Sequence, residues 1–85
     1  MVRYDFLGRG RAEVNINLAP RERGKGWASR VISECNGWLK ESQGIGTFIA
    51  KIKRDNVGSI KVFQKAGFNL LEKQRNLLTF QKGGE

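Results

Sequence analysis

The chain has 85 residues, enough for one domain, and a core of that size buries only roughly 60–65% of the unfolded surface. Sixteen Lys and Arg against eight Asp and Glu leave a net charge of +8, which favours polyanions, anionic surfaces or phosphorylated small molecules as partners. The single Cys35 excludes an internal disulfide, and the absence of His removes the usual imidazole base and the commonest metal ligand, so no metal is expected. The opening residues lack the apolar run of a signal peptide, and no segment approaches the 18 or so apolar residues of a membrane span. A cytoplasmic setting without membrane attachment is the expectation.

Residues 2–6 read as a first short strand. From 12 to 18, apolar and polar residues alternate: Val14, Ile16 and Leu18 point one way, Glu13, Asn15 and Asn17 the other. That pattern predicts a half-buried strand. Pro20 has no N–H to give a ladder and stops it. Residues 21–26 are basic and broken by glycine, as a loop is.

At Trp27 the period changes. Trp27, Ala28, Val31, Ile32, Cys35, Trp38 and Leu39 recur at the spacing of an amphipathic helix, with Lys40 suited to its last turn. Gly44 and Gly46 break the helix. Residues 47–53 predict a strand with Phe48, Ala50 and Ile52 on one face. Asp55 or Asn56 can cap a second helix, whose stripe is Val57, Ile60, Val62, Phe63 and Ala66. Gly67 stands where the helix needs a positive φ, and Phe68 can fold back on the last turn. Residues 69–73 and 76–81 predict two more strands, as a hairpin. The order is β-β-α-β-α-β-β: an α/β (α+β) chain with a mixed sheet and two main helices.

The segment Arg21-Glu22-Arg23-Gly24-Lys25-Gly26-Trp27-Ala28 lies between a strand and a helix. A helix N-terminus offers unpaired N–H groups and the positive end of its dipole. Gly24 and Gly26 remove side chains that would hold a pyrophosphate away from those amides, and Arg21, Arg23 and Lys25 add charge. The loop is neither a Walker A sequence nor a dinucleotide fingerprint, and glycine turns between strand and helix are common. The glycines alone therefore do not decide between a cradle and a connecting turn.

The run Arg21-Glu22-Arg23-Gly24-Lys25-Gly26 after Leu18-Ala19-Pro20 resembles the Arg/Gln-x-x-Gly-x-Gly/Ala signature of the GNAT N-acetyltransferases. A second element in the right order, Asn56-Val57-Gly58-Ser59 through Lys65-Ala66-Gly67-Phe68, is similar to the Asn-x-x-Ser…Lys-x-Gly-Phe helix of that family. The resemblance covers residues 12–68, about two-thirds of the chain, with residues 69–82 as C-terminal strands of one truncated GNAT-like domain spanning 1–85.

The resemblance implies acetyl-CoA as cosubstrate. The backbone of Ile16, Asn17 and Leu18 would pair with the pantetheine arm as if it were an added strand. The amides of Arg23, Gly24, Lys25, Gly26, Trp27 and Ala28, with Arg21 beside them, would hold the pyrophosphate. Asn56 and Ser59 would touch the lower pantetheine or phosphate region, and Phe63 would stand along the same site. Phe63 occupies the position where relatives often carry a Tyr that protonates the departing thiolate, and it has no proton to give. Glu13, the only carboxylate on its strand, is the candidate base, set against a reading as a solvated strand residue.

The implied activity is acetyl transfer to a small-molecule primary amine, in wording nearest to enzymes that acetylate amino-sugars. The acceptor-binding N-terminal half of the family is largely absent, so an open edge and an uncovered apolar face predict a homodimer with strand exchange as one form. Two alternatives stand beside this reading. One is a non-catalytic CoA-binding or dimeric interaction module. The other, least supported, is a nucleic-acid binder using Arg9, Arg11, Arg21, Arg23, Lys25, Lys51, Lys53 and Arg54, with Tyr4, Phe6 and the two Trp as stacking groups.

Overall fold

The computed structural model describes residues 2–16 and 27–83. In chain order the elements are β1 (Val2–Gly8), β2 (Arg11–Ile16), α1 (Trp27–Gln43), β3 (Thr47–Lys53), α2 (Val57–Lys65), β4 (Asn69–Lys73) and β5 (Leu77–Gly83). The strands form one mixed sheet in the order β1-β2-β3-β5-β4. β1 and β2 are an antiparallel hairpin, β2 and β3 are parallel, and β5 lies antiparallel between β3 and β4.

Both helices pack on the face that carries Ala12, Val14, Phe48, Ala50, Ile52 and Phe80, where Ile32 and Leu39 of α1 and Phe63 of α2 complete the core. The alternation predicted for β3 is borne out, with Phe48, Ala50 and Ile52 all buried. The opposite face, bare of helix, holds Arg3, Asp5, Arg11, Glu13, Asn15 and Lys51 around Ile49. The uncovered face is thus polar, and the expectation of an apolar one is corrected. Four of the exposed large apolar side chains sit instead on the edge strands, Phe6 and Leu7 on β1 and Leu70 and Leu71 on β4.

Helix α2 ends as its sequence demands. Phe68 N–H donates to Phe63 O at 2.9 Å and Gly67 N–H to Gln64 O at 3.1 Å, with Gly67 at φ 92°. These are the paired bonds of a Schellman cap, and only a residue without Cβ takes that φ without strain. Phe68 then returns against Phe63, ring centroids 5.0 Å apart and edge to face. Lys82 Nζ donates to Ala66 O at 2.7 Å and covers a carbonyl left over at the helix end.

Two stripe assignments need correction. Trp38 is 63% exposed and Val57 54% exposed. At about 100° per residue, the buried line Ala28–Ile32–Leu39 leaves Trp38 on the flank of α1 and brings Asn36 inward. Val57 stands at the first position of α2, where the helix has not yet reached the core. Among the described residues no helix is long and apolar enough to cross a membrane.

Candidate functional site

β2 and β3 run side by side for only part of their length. Their parallel register covers Arg11↔Thr47, Ala12↔Phe48 and Glu13↔Ile49, yet β2 continues to Ile16 and β3 to Lys53. Beyond Glu13 and Ile49 the strands part. β2 stays paired with β1 on its other side, through Ile16↔Val2, and β3 stays paired with β5 through Lys53↔Leu77. The two inner edges facing the gap therefore lack a neighbour along the ladder. Unpaired edges in a slot between parallel strands offer N–H and C=O groups to an extended chain.

Two helix N-termini open at the same end of the sheet. α1 follows β2 and starts at Trp27, and α2 follows β3 and starts at Val57. Ala28 is 3% exposed, which fixes the first turn of α1 on the core, and Trp27 is half-buried beside it. Asn17 and Leu18 of the expected pantetheine strand, and Arg21, Arg23, Gly24, Lys25 and Gly26 of the expected cradle, lie outside the described residues. At α2, Asn56 is the N-cap: its side-chain oxygen accepts from the Ser59 backbone N–H at 3.3 Å. Ser59 is buried in that first turn. The residues expected to touch a cofactor thus also build the helix terminus that would face it.

Ile16 closes β2 at the gap, half-buried and paired with Val2. Glu13 occupies the last paired register position before the strands part, on the helix-free face and directly opposite Asp5 of β1. Two carboxylates facing each other across a ladder repel. Arg3 lies 3.2 Å from the Asp5 carboxylate and Asn15 Nδ2 donates to it at 3.1 Å, which engages Asp5 and leaves Glu13 beside the slot. Phe63 is 1% exposed and packs on Phe68, so the structure places it in the core wall behind α2 rather than along the slot. Cys35 is half-buried on α1. Among the described residues no three of His, Cys, Asp and Glu come together as a metal site would require.

Sequence reasoning missed Tyr4 and Asn36. Tyr4 Oη donates to Asn36 Oδ1 at 2.6 Å, beside Ile32 O at 3.3 Å, and its ring meets Phe48 edge to face at 6.1 Å. Burial, and the neighbouring Cys35, push the Tyr4 phenol well above its ordinary pKa. Tyr4 is consequently a packed tie between β1 and α1, rather than one of the rings free to stack on bases in the nucleic-acid alternative. The polar Asn36 at a core angle of α1 was the available signal.

The geometry has known counterparts. Residues 2–69 match the family model described as the acetyltransferase (GNAT) domain. No curated protein matches the chain. Among solved structures, the ribosomal-protein-S5-alanine acetyltransferase of Vibrio fischeri superposes with a TM-score of 0.84 at 21% identity, covering 99% of this chain and 53% of that one. A domain from Methanocaldococcus jannaschii gives a TM-score of 0.84 at 27% identity, covering 96% and 54%. The N-acetyltransferase PseH of Campylobacter jejuni, solved in complex with acetyl coenzyme A, gives 0.71 at 17% identity, covering 88% and 52%. The chain spans about half the length of these relatives. A family match over more than half of the chain, on a sheet that parts between β2 and β3, establishes that this chain belongs to the GNAT acetyltransferase family.

Proposed function

We propose that the chain binds acetyl-CoA in the slot between β2 and β3 and serves acetyl transfer to the primary amine of a small molecule. The observation that carries this reading is the parting of the two strands after Glu13 and Ile49, with the starts of α1 and α2 at the same end. The inner edge of β2 up to Ile16, with Asn17 and Leu18 beyond it, pairs with the pantetheine amides. Arg21, Arg23, Gly24, Lys25 and Gly26, followed by the amides of Trp27 and Ala28, take the pyrophosphate, because a helix N-terminus and glycine-bared amides both favour negative charge. Asn56 and Ser59 form the second wall, and Phe63 supports it from the core.

In the transfer the amine nitrogen attacks the thioester carbonyl, the carbon–sulfur bond breaks and the sulfur leaves to be protonated. Glu13, at the mouth of the slot, receives the amine proton directly or through one water. Most of the acceleration comes from holding the two reactants together. Two copies associate through the exposed apolar edges of β1 and β4, by edge pairing or strand exchange, and a monomeric mass by light scattering at micromolar concentration would oppose this. A cytoplasmic setting fits the single, unpaired Cys35.

A second reading is a CoA-binding module without turnover, favoured by Phe63, which has no proton for the leaving sulfur. It predicts saturable acetyl-CoA binding with no acetylation of any amine.

The first experiment is thermal unfolding with acetyl-CoA, using ATP and heparin as polyanion controls. At a hundredfold excess over Kd a ligand stabilises by about 2.7 kcal/mol, which raises Tm by roughly 10 °C in a domain of this size. A shift with acetyl-CoA well beyond both controls supports the site. Equal shifts with all three would reduce the effect to capture of anions by the +8 charge.

A further inference from the structure

A cavity of about 470 Å³ lies at the other end of the sheet, between the second half of α1 and the ends of β3 and β5. Asn36, Lys40, Phe48, Gly67 and Lys82 are among its lining residues. Ser33, the lining residue of α1 nearest the slot, stands six residues beyond Trp27, roughly 9 Å along the helix at about 1.5 Å each. The cavity's volume falls within the roughly 300–1,000 Å³ of small-ligand pockets.

Asn36 is 4% exposed, and its Nδ2 is buried with no hydrogen-bond partner. The 2.6 Å contact from Tyr4 Oη identifies the other amide atom as oxygen, since that distance suits O–H···O and is short for N–H···O. The orphan is therefore a donor, and it asks for an acceptor. Lys82 brings an ammonium to the same cavity, held in place by its bond to Ala66 O, with two N–H groups remaining. Lys40 adds a second ammonium from the last turn of α1. Among the described residues no carboxylate lines the cavity, and the ion pairs are Arg3–Asp5 and Arg30–Glu34, neither of which involves these lysines. A water molecule could answer the amide alone, whereas half-buried Lys82 and exposed Lys40 also bring positive charge to the same cavity. An anion answers all three.

We propose that this cavity is a second ligand site, distinct from the slot, for a small anion carrying a carboxylate or phosphate group. The anion accepts from Asn36 Nδ2 and pairs with Lys82 and Lys40, over the Phe48 ring. Bound there, it joins α1 to the ends of β3 and β5.

The test is titration of the ¹⁵N-labelled chain with succinate and, separately, inorganic phosphate, read on the backbone amides of Gly37, Gly46, Gly67 and Gly83, which line the cavity. Saturable shifts of these amides are expected with at least one probe. They should require about tenfold more probe in Lys82→Met and in Asn36→Asp, since each change removes one charge-assisted contact. Lys40→Met tests the same point without touching the bonds of Tyr4 or Ala66, should either of those variants fail to fold. Arg23→Ala, a change in the loop expected to hold the pyrophosphate, should leave the shifts intact. The proposal is overturned if the four glycine amides do not move with either probe. It is equally overturned if only amides of residues 23–28 respond, or if Lys82→Met and Lys40→Met both bind as the unaltered chain does.

Discussion

The two ends of the sheet are built on opposite principles. At one end β2 and β3 part after Glu13 and Ile49, leaving backbone edges unpaired between the starts of two helices. At the other the strands are locked by backbone contact. Gly46 N–H and Thr47 N–H both donate to Gly10 O, at 2.8 and 3.1 Å, and a Cβ on Gly83 would overlap the Gly46 carbonyl oxygen. The closed end holds the registers that the open end abandons. A slot between strands can exist in a domain this small because something else fixes their spacing.

The largest expected effect breaks the closed end. Gly83→Ala places a methyl against backbone that cannot swing aside, at a φ of 80°, and should cost about 3 kcal/mol or more in chemical denaturation. Acetyl-CoA affinity per folded molecule should survive. A loss below about 1 kcal/mol would mean the end is not locked.

Asn56→Ala probes the open end. It removes the N-cap of α2 and should cost about 1 kcal/mol, while Asn56→Ser restores most of it. If Asn56 also meets the cofactor, acetyl-CoA binding in the Ser variant should remain weaker although stability has returned. Recovery of both together would confine Asn56 to capping.

The smallest effect concerns Tyr4, which ties β1 to α1 between the two ends. Its folded pKa is raised above the ordinary 10.0, so below pH 10 both states keep the proton and its contribution is fully present. As pH rises beyond 10 the unfolded phenol ionises while the folded one does not, and stability falls. Tyr4→Phe should cost about 1 kcal/mol at neutral pH and should flatten the decline above pH 10. An equally steep decline in the variant would assign it to other groups.

Much of this arrangement was legible in the residues. The N-cap Asn56, the turn at Gly67 with Phe68 behind it, and the alternation of Phe48, Ala50 and Ile52 are local features, each decided within a few residues of itself. Boundaries moved by small amounts: β1 runs on to Gly8, α1 to Gln43 and β5 to Gly83. The errors share one cause. Trp38 and Val57 are apolar residues at permitted helical spacing, but which angle of a helix is buried, and where along its length the core begins, depend on where the sheet lies.

The sequence by itself determined the order of elements, their caps and turns, and through two spaced motifs the family, because these rest on backbone geometry and short-range periodicity. Only the tertiary structure decided that β5 slips between β3 and β4, that the helix-free face is polar, and that the strands part after Glu13. It alone brought Asn36 under Tyr4 and beside Lys82. Those outcomes depend on contacts between residues dozens of positions apart, and no local pattern encodes the packing that makes them.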